Sequence, residues 1–120
     1  MTQSQIINAY KTLPELSEIS GISKKEQWEL YKLRNVLKTH FEFQVEQENK
    51  IREKYSEYAD KDGNLFGEYA ERFVNDMKEI ADLEVELGEF DKPKIRIQDG
   101  MTLKMIDPLD NFVEFLQPEE

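Results

Sequence analysis

Residues 60–71, DKDGNLFGEYAE, carry oxygen-bearing side chains at the spacing of a calcium-binding loop. The sixth position of an EF-hand loop needs a glycine for its sharp turn, but here it is Leu65, and the sequence has no second loop to pair with. Asp, Gly and Asn are also ordinary turn formers. We interpret the segment as a turn between two helices and keep calcium binding as the third hypothesis for function. Its ligands, at loop positions 1, 3, 5, 9 and 12, would be Asp60, Asp62, Asn64, Glu68 and Glu71.

Other patterns typical of catalysis or cofactor binding are missing from the sequence. There is no cysteine, which excludes thiolate metal sites and cysteine nucleophiles. His40 is the only histidine, and position 44, one helical turn later, holds a glutamine instead of a second metal ligand. Glu42–Glu46 and Glu53–Glu57 are carboxylate pairs at helical spacing, but such pairs arise by chance among 26 acidic residues. No phosphate loop, dinucleotide fingerprint or zinc pattern occurs. We therefore expect no enzyme activity, no cofactor and no metal.

The acidic residues are concentrated in the middle of the chain. Residues 42–89 carry six basic and fifteen acidic groups, a net −9, whereas residues 1–41 carry six basic and four acidic groups, a net +2. An acidic surface repels phosphate, so we expect no direct binding to nucleic acid. It suits a basic protein partner or an inhibitor that imitates a phosphate backbone. The side chains expected on this surface are Glu42, Glu46, Glu53, Glu57, Asp76 and Glu79.

Length and composition fit one folded domain. The chain has 120 residues, enough for a single modest core, and its 11% aromatic content argues against a disordered chain. No apolar run approaches the roughly 18 residues of a membrane span, and the first residues, MTQSQIINAYK, lack the features of a signal peptide. We expect a protein of the bacterial host cytoplasm that does not bind membranes.

A long antiparallel helical hairpin is predicted over residues 23–81. Ser23 and Glu26 form the pattern of a capping box, and apolar residues then recur every three or four positions until Asp62–Gly63. A helix of about 35 residues is roughly 50 Å long, but a compact chain of this length has a radius of gyration of about 14 Å. Part of the helix must therefore project, bend or pack on another chain. The predicted partner helix has the apolar face Phe66, Tyr69, Ala70, Phe73, Met77 and Ile80.

Shorter elements flank the hairpin. Residues 1–22 predict a short helix that ends before Pro14 and a connector. Residues 83–105 alternate between apolar and polar side chains, with Asp99–Gly100 at the position of a hairpin turn, and predict a small antiparallel β-sheet.

A short C-terminal helix is predicted over residues 107–117. Asp107 suits the N-cap and Pro108 the first helical position. The expected fold is α+β in a single domain, residues 1–120, with the helical hairpin packed against the small sheet and this last helix.

The long helix has more aromatic residues than one buried face needs. Phe41 and Phe43 lie about 200° apart on a helix, so they cannot share one stripe. Either the helix is buried on two sides, or part of the cluster is exposed at an interface with a partner. The expected protein-interface residues are Trp28, Tyr31, Phe41 and Phe43.

Several short motifs follow one another in a distinctive order. Lys54–Tyr55 ends the long helix near a Lys-Asp-Gly-Asn turn at residues 61–64, Glu84 to Leu87 form a strand-like segment, and Pro108 starts the last helix. This order resembles a family of short proteins encoded by phages and prophages of Firmicutes-type bacteria, over about residues 28–116. The chain departs from that family in a longer N-terminal extension and a shorter region after the turn. The resemblance implies a viral or prophage origin and carries no activity with it.

Together these features predict a non-catalytic phage or prophage protein-binding module. Its partner would be a host or phage protein, and we expect it to form homo-oligomers through the long helix. The alternative is an acidic inhibitor that occupies the nucleic-acid channel of a host defence nuclease, of the anti-CRISPR or anti-restriction type.

Overall fold

The computed structural model describes residues 1–118, and within them the chain forms four α-helices and two short strands. The helix-rich α+β class is therefore confirmed. A 3₁₀ turn, Ser56–Tyr58, follows the longest helix directly. In chain order the elements are α1 (Gln3–Ser17), α2 (Lys24–Tyr55), α3 (Gly67–Ala81), β1 (Lys94–Arg96), α4 (Leu103–Leu109) and β2 (Glu114–Leu116).

α2 begins at the capping box that the sequence predicts. The Glu26 backbone N–H donates to Ser23 Oγ at 3.1 Å, and the Ser23 N–H donates to the Glu26 carboxylate at 3.0 Å. The helix runs for 32 residues, and the molecule is 58 Å long with a radius of gyration of 17.9 Å. A compact chain of this length would have a radius of about 14 Å. α2 therefore extends well past the core.

The core lies at the N-terminal end of α2. α1 runs alongside α2 in the opposite direction, since Gln3 Nε2 donates to the His40 carbonyl at 2.6 Å and Gln27 Nε2 donates to the Ser17 carbonyl at 3.2 Å. The buried side chains come from α1, the first half of α2, β1 and the residues after α4. They form one cluster: Ile6, Ala9, Tyr10, Leu13, Leu16, Leu30, Leu33, Leu37, Ile95, Leu109, Phe112 and Val113.

The prediction that the first helix ends before Pro14 is wrong. α1 continues through Pro14 to Ser17, although proline lacks the N–H that would donate to the carbonyl four residues earlier. Leu13 and Leu16, on either side of the proline, are fully buried. Burial of such side chains is worth about 1.5–3 kcal/mol each, which outweighs one missing helical hydrogen bond.

The predicted antiparallel sheet is also wrong. β1 pairs with β2 in parallel, in the register Lys94↔Glu114, Ile95↔Phe115 and Arg96↔Leu116. Parallel strands need a crossover of a dozen or more residues, and residues 97–113, which include α4, supply it. Asp99 and Gly100 do form a turn, but it leads into α4 instead of a returning strand.

Residues 83–87 do not form the expected strand. Their one ladder contact in residues 1–118 is an isolated antiparallel bridge between Thr2 and Glu84. The Gln3 N–H donates to the Leu83 carbonyl and the Val85 N–H to the Met1 carbonyl, both at 2.8 Å. This segment therefore fastens the start of α1 to the end of α3.

The C-terminal helix lies earlier than predicted. α4 starts after Thr102, its N-cap, so Asp107 is not the cap and Pro108 lies inside the helix. Residues 114–116, expected to be helical, are β2. Phe112 and Val113 are buried as their apolar character suggests, but they lie in the turn that joins α4 to β2.

Candidate functional site

Residues 42–82 form an arm that carries none of the core cluster. The arm consists of the second half of α2, the 3₁₀ turn, a loop and α3. Two aromatic contacts join its helices: Tyr58 stacks on Tyr69 with ring centroids 4.1 Å apart, and Tyr55 meets Phe73 edge-on at 5.9 Å. Tyr55 precedes Tyr58 in the chain, and their partners Phe73 and Tyr69 follow the loop in the reverse order. α3 therefore runs back along the end of α2.

A polar contact ties the two arm helices together. The Tyr55 hydroxyl donates to Asp76 Oδ2 at 2.7 Å, and Lys54 Nζ donates to the same oxygen at 3.2 Å. The hydrogen bond from Tyr55, followed by that from Lys54, holds the pKa of Asp76 below its usual value. The same contact raises the pKa of both Tyr55 and Lys54. The arm is therefore held by aromatic packing and one shared carboxylate.

Beside this contact the two arm helices enclose an open groove, here called the arm groove, of about 650 Å³. At the core end, α1, β1 and residues 109–113 pack on α2, whereas no residue of the arm belongs to that buried cluster. Val74, which lines the groove, is 61% exposed. The groove is lined by polar and apolar residues in equal number, and its charged lining is Arg52, Asp60 and Lys61. Its apolar lining is Tyr55, Ala59, Leu65, Ala70, Phe73 and Val74.

The loop that resembles a calcium site forms a tight turn. Asp60 Oδ1 accepts hydrogen bonds from the backbone N–H groups of Asp62 and Asn64, both at 2.9 Å, and Gly63 adopts a positive φ of 81°. Glu68, a further proposed ligand, forms an ion pair with Arg72. Within residues 1–118, no group of three or more His, Cys, Asp or Glu residues is placed to hold a metal ion. Asp60 therefore acts as the acceptor that closes the turn.

The structure separates the four aromatic residues expected at an interface. Phe41 stacks on Tyr10 of α1 at 4.4 Å and packs against the core cluster. Trp28 and Tyr31 stack on each other at 5.7 Å and are 56% and 53% exposed. Phe43 is exposed as well but lies about 120° around α2 from Tyr31. Phe41 therefore packs inside the molecule, whereas the Trp28–Tyr31 pair lies at the surface.

The expected acidic surface is partly neutralised by neighbouring lysines. Glu42 pairs with Lys38 at 3.9 Å, and Glu46 pairs with Lys50 at 3.2 Å. A hydrogen bond with Glu57 raises the pKa of Tyr58. Asp76 is engaged by Lys54 and Tyr55 as described above. Among the ion pairs of residues 1–118, none involves Glu53 or Glu79.

Sequence reasoning missed the arm groove. Ala59 and Ala70, two small residues that line it, carry no chemical signal in the sequence, and the groove exists only once α3 packs on α2. It also missed the surroundings of the Trp28–Tyr31 pair. Residues 24–38 carry five basic and two acidic groups, a net +3, so the exposed aromatic rings lie on a basic surface.

No protein-family model, curated protein or solved structure matches the chain. Among residues 1–118, no helix combines the length and the apolar character needed to cross a bilayer.

Proposed function

We propose that the protein is a non-catalytic protein-binding module that self-associates through α2. The observation that carries this proposal is the Trp28–Tyr31 pair, two stacked aromatic rings that are both more than half exposed. Large aromatic side chains supply much of the binding energy at protein interfaces because they bury a large area and lose few rotamers. The ring stack also holds the pair in one arrangement before a partner binds, which lowers the entropy cost of association.

The setting we propose is the bacterial cytoplasm during phage or prophage expression. The resemblance to Firmicutes phage proteins supports this origin. The partner is a protein, either a second copy of the chain or a host or phage protein, and the net −9 on residues 42–89 disfavours nucleic acid.

Light scattering coupled to size exclusion tests self-association. Trp28→Glu places a charge in the proposed contact and is expected to convert an assembly into a monomer. Leu103→Glu is the matched control, because it adds the same charge at an exposed apolar position outside α2. A wild-type chain that stays monomeric at every concentration, or a Trp28→Glu chain with wild-type mass, would contradict the proposal.

The acidic inhibitor is the second candidate. Glu53 and Glu79, which take no part in the ion pairs of the described chain, favour it because their charges are available to a basic partner. Such binding would weaken steeply between low and high salt, since exposed charges are screened. Affinity for a nuclease that stays constant across that range would count against it.

A further inference from the structure

One side of α2 is exposed along almost its whole length. It consists of the side chains within about 60° of Trp28, at about 100° per residue, and is here called the α2 face. From Lys24 to Glu53, every side chain of the α2 face is exposed. Its aromatic members are the Trp28–Tyr31 pair and Phe43. Three large aromatic side chains on the solvent-facing side of one helix are typical of a binding surface.

Charge is divided between the two halves of the α2 face. The first half, up to Thr39, has no acidic residue and three lysines: Lys24, Lys25 and Lys32. The second half has one lysine, Lys50, and three glutamates: Glu42, Glu46 and Glu53. Among the ion pairs of residues 1–118, none involves Lys24, Lys25 or Glu53. These three charges can therefore pair with a partner without giving up an ion pair in their own chain.

The same three charges are placed against the dipole of α2. Lys24 and Lys25 begin the helix, where the dipole favours acidic side chains, and Glu53 lies in the last turn, where it favours basic ones. The helix alone therefore gains nothing from these side chains. A partner that brings an acid to the lysines and a base to Glu53 supplies the favourable interaction that α2 lacks.

A second copy of the chain, turned end to end, has both of the required charges. We infer that two copies pair antiparallel through the α2 face, so that the basic half of each lies on the acidic half of the other. The inference rests on the proposed self-association and specifies its geometry. A parallel pair would bring like charges together along both halves, which is unfavourable. The antiparallel pair is also closed, because a two-fold axis makes the contact reciprocal.

The spacing of the charges sets the register of the pair. Lys25 and Glu53 each lie 14 residues from Thr39, on opposite sides of it. A two-fold axis at Thr39 therefore places Lys25 of one copy opposite Glu53 of the other. Lys32 and Glu46, each 7 residues from Thr39, meet in the same way. By symmetry each contact occurs twice, so opposite charges meet at four places along the pair.

The aromatic centre fits the same register. Trp28 and Lys50 each lie 11 residues from Thr39, so each Trp28 ring faces Lys50 of the second copy. An ammonium group over an indole ring is attracted by the negative face of the ring. The single lysine in the acidic half of the α2 face therefore also has a favourable partner.

Charge reversal in mixed pairs tests the inference. The double variant Lys24→Glu, Lys25→Glu places acids opposite Glu53 of the second copy, and Glu53→Lys places a base opposite the two lysines. Each reversal suits its own end of α2 better than wild type does, so neither should unfold the helix. In sedimentation equilibrium at low salt, each alone should raise the dimer dissociation constant by at least about tenfold. An equimolar mixture should dimerise like wild type, because opposite charges meet again at both ends.

Crosslinking tests the direction of the pair. The chain has no cysteine, so Thr39→Cys and Asn49→Cys each introduce a single thiol on the α2 face. Across the two-fold axis the two copies of position 39 meet, whereas the two copies of position 49 lie roughly 30 Å apart along the helix. A short bismaleimide should therefore link Thr39→Cys into dimers and leave Asn49→Cys unlinked. Equal crosslinking of both variants would indicate a parallel pair and overturn the inference.

The outcomes separate this inference from the proposed function. Lys11→Glu combined with Lys104→Glu is the control, because it makes the same change of charge at exposed positions outside α2; it should dimerise like wild type. If Trp28→Glu is monomeric but the reversed variants keep the wild-type dissociation constant, self-association stands and the antiparallel contact is wrong. A mixture that dimerises no better than its components, or a mass that grows beyond two copies, also overturns it. A wild-type monomer overturns both.

Discussion

Along residues 24–41, α2 packs with α1, β1 and residues 109–113 around one buried cluster; within the arm it packs with α3, and no arm residue belongs to that cluster. Leu30, Leu33 and Leu37 are almost fully buried, whereas in the arm only Tyr55 and Ile80 are buried among the large apolar side chains. The single helix α2 is therefore well buried at its N-terminal end and mostly exposed at its C-terminal end. Stability is expected to be unequal along it, with the arm able to open while the core stays folded.

The largest expected effect comes from a cavity in the covered end. Phe112 is 1% exposed, and Phe112→Ala should lower the free energy of unfolding by about 3–5 kcal/mol. Chemical denaturation measures it. Phe66→Ala removes the same ring from the arm, where it is 67% exposed, and should change stability by less than about 0.5 kcal/mol. Equal losses of stability in the two variants would refute the difference in burial between the two ends of α2.

The next effect comes from Glu26, which joins α2 to the sheet. One of its oxygens completes the capping box with Ser23, and the other accepts the Arg96 backbone N–H at 2.9 Å. Glu26→Ala should lower the free energy of unfolding by about 2 kcal/mol, because it removes a cap and a bond to a charged acceptor. Ser23→Ala, which keeps the Arg96 bond, should cost less. Equal losses would show that the link to β1 contributes nothing.

The same contact predicts a pH dependence. Burial raises the pKa of Glu26, but hydrogen bonds from Ser23 and Arg96 outweigh it and hold the pKa below the ordinary value of 4.5. The contribution is therefore present above pH 4.5 and is lost as the pH falls through the lower folded-state value. Wild type should lose stability in this window more steeply than Glu26→Ala, as measured by denaturation at a series of pH values.

A smaller and local effect is expected from Tyr55→Phe. The variant keeps the ring contact with Phe73 but loses the hydroxyl bond to Asp76. Hydrogen exchange should become faster in residues 42–82 and stay unchanged in α1. Tyr58→Phe is the control: it removes an arm hydroxyl that bonds only the neighbouring Glu57, keeps its stack on Tyr69 and leaves Asp76 untouched. Faster exchange across the whole chain would show that arm and core unfold together.

The Asp76 contact also responds to pH. The pKa of Asp76 is lowered from 3.8, so its contribution is lost as the pH falls below that value; the pKa of Tyr55 is raised from 10.0, so its contribution is lost as the pH rises past it. Protection of the arm amides, corrected for the intrinsic pH dependence of exchange, should fall at both extremes, and the Tyr55→Phe variant should show a smaller alkaline loss because Lys54 still titrates there.

Local signals in the sequence predict the parts of the fold that local physics decides. The Ser23–Glu26 box and the apolar stripe after it place α2 correctly because the partners lie three or four residues apart. The parallel pairing of Ile95 with Phe115 depends on residues 20 positions apart, and nothing near Asp99–Gly100 marks a crossover.

The candidate surfaces also depend partly on contacts between distant residues, which the sequence does not reveal. The angle between Phe41 and Phe43 shows that they occupy different sides of α2, but which of them is buried depends on where α1 docks, through Tyr10. Likewise, Glu26 can be identified as a helix cap from its neighbours, while its second bond, to Arg96, joins residues 70 positions apart.

The smallest expected effect concerns the tip of the arm and decides between a turn and a calcium loop. Asp60→Ala removes the acceptor of two backbone N–H groups and should destabilise the arm by about 1 kcal/mol, seen as faster hydrogen exchange in residues 59–66.

Asp60→Asn is the discriminating control, because its amide oxygen can accept the same bonds but brings no charge to a cation. In a purely structural turn, Asn behaves almost like wild type, and calcium changes exchange in no variant. In a calcium loop, wild type alone is protected by calcium, and the Asn variant is not, since calcium sites depend on the charge of their ligands. The bonds already made by Asp60 favour the first result, because a carboxylate that closes a tight turn has one oxygen committed before any ion arrives.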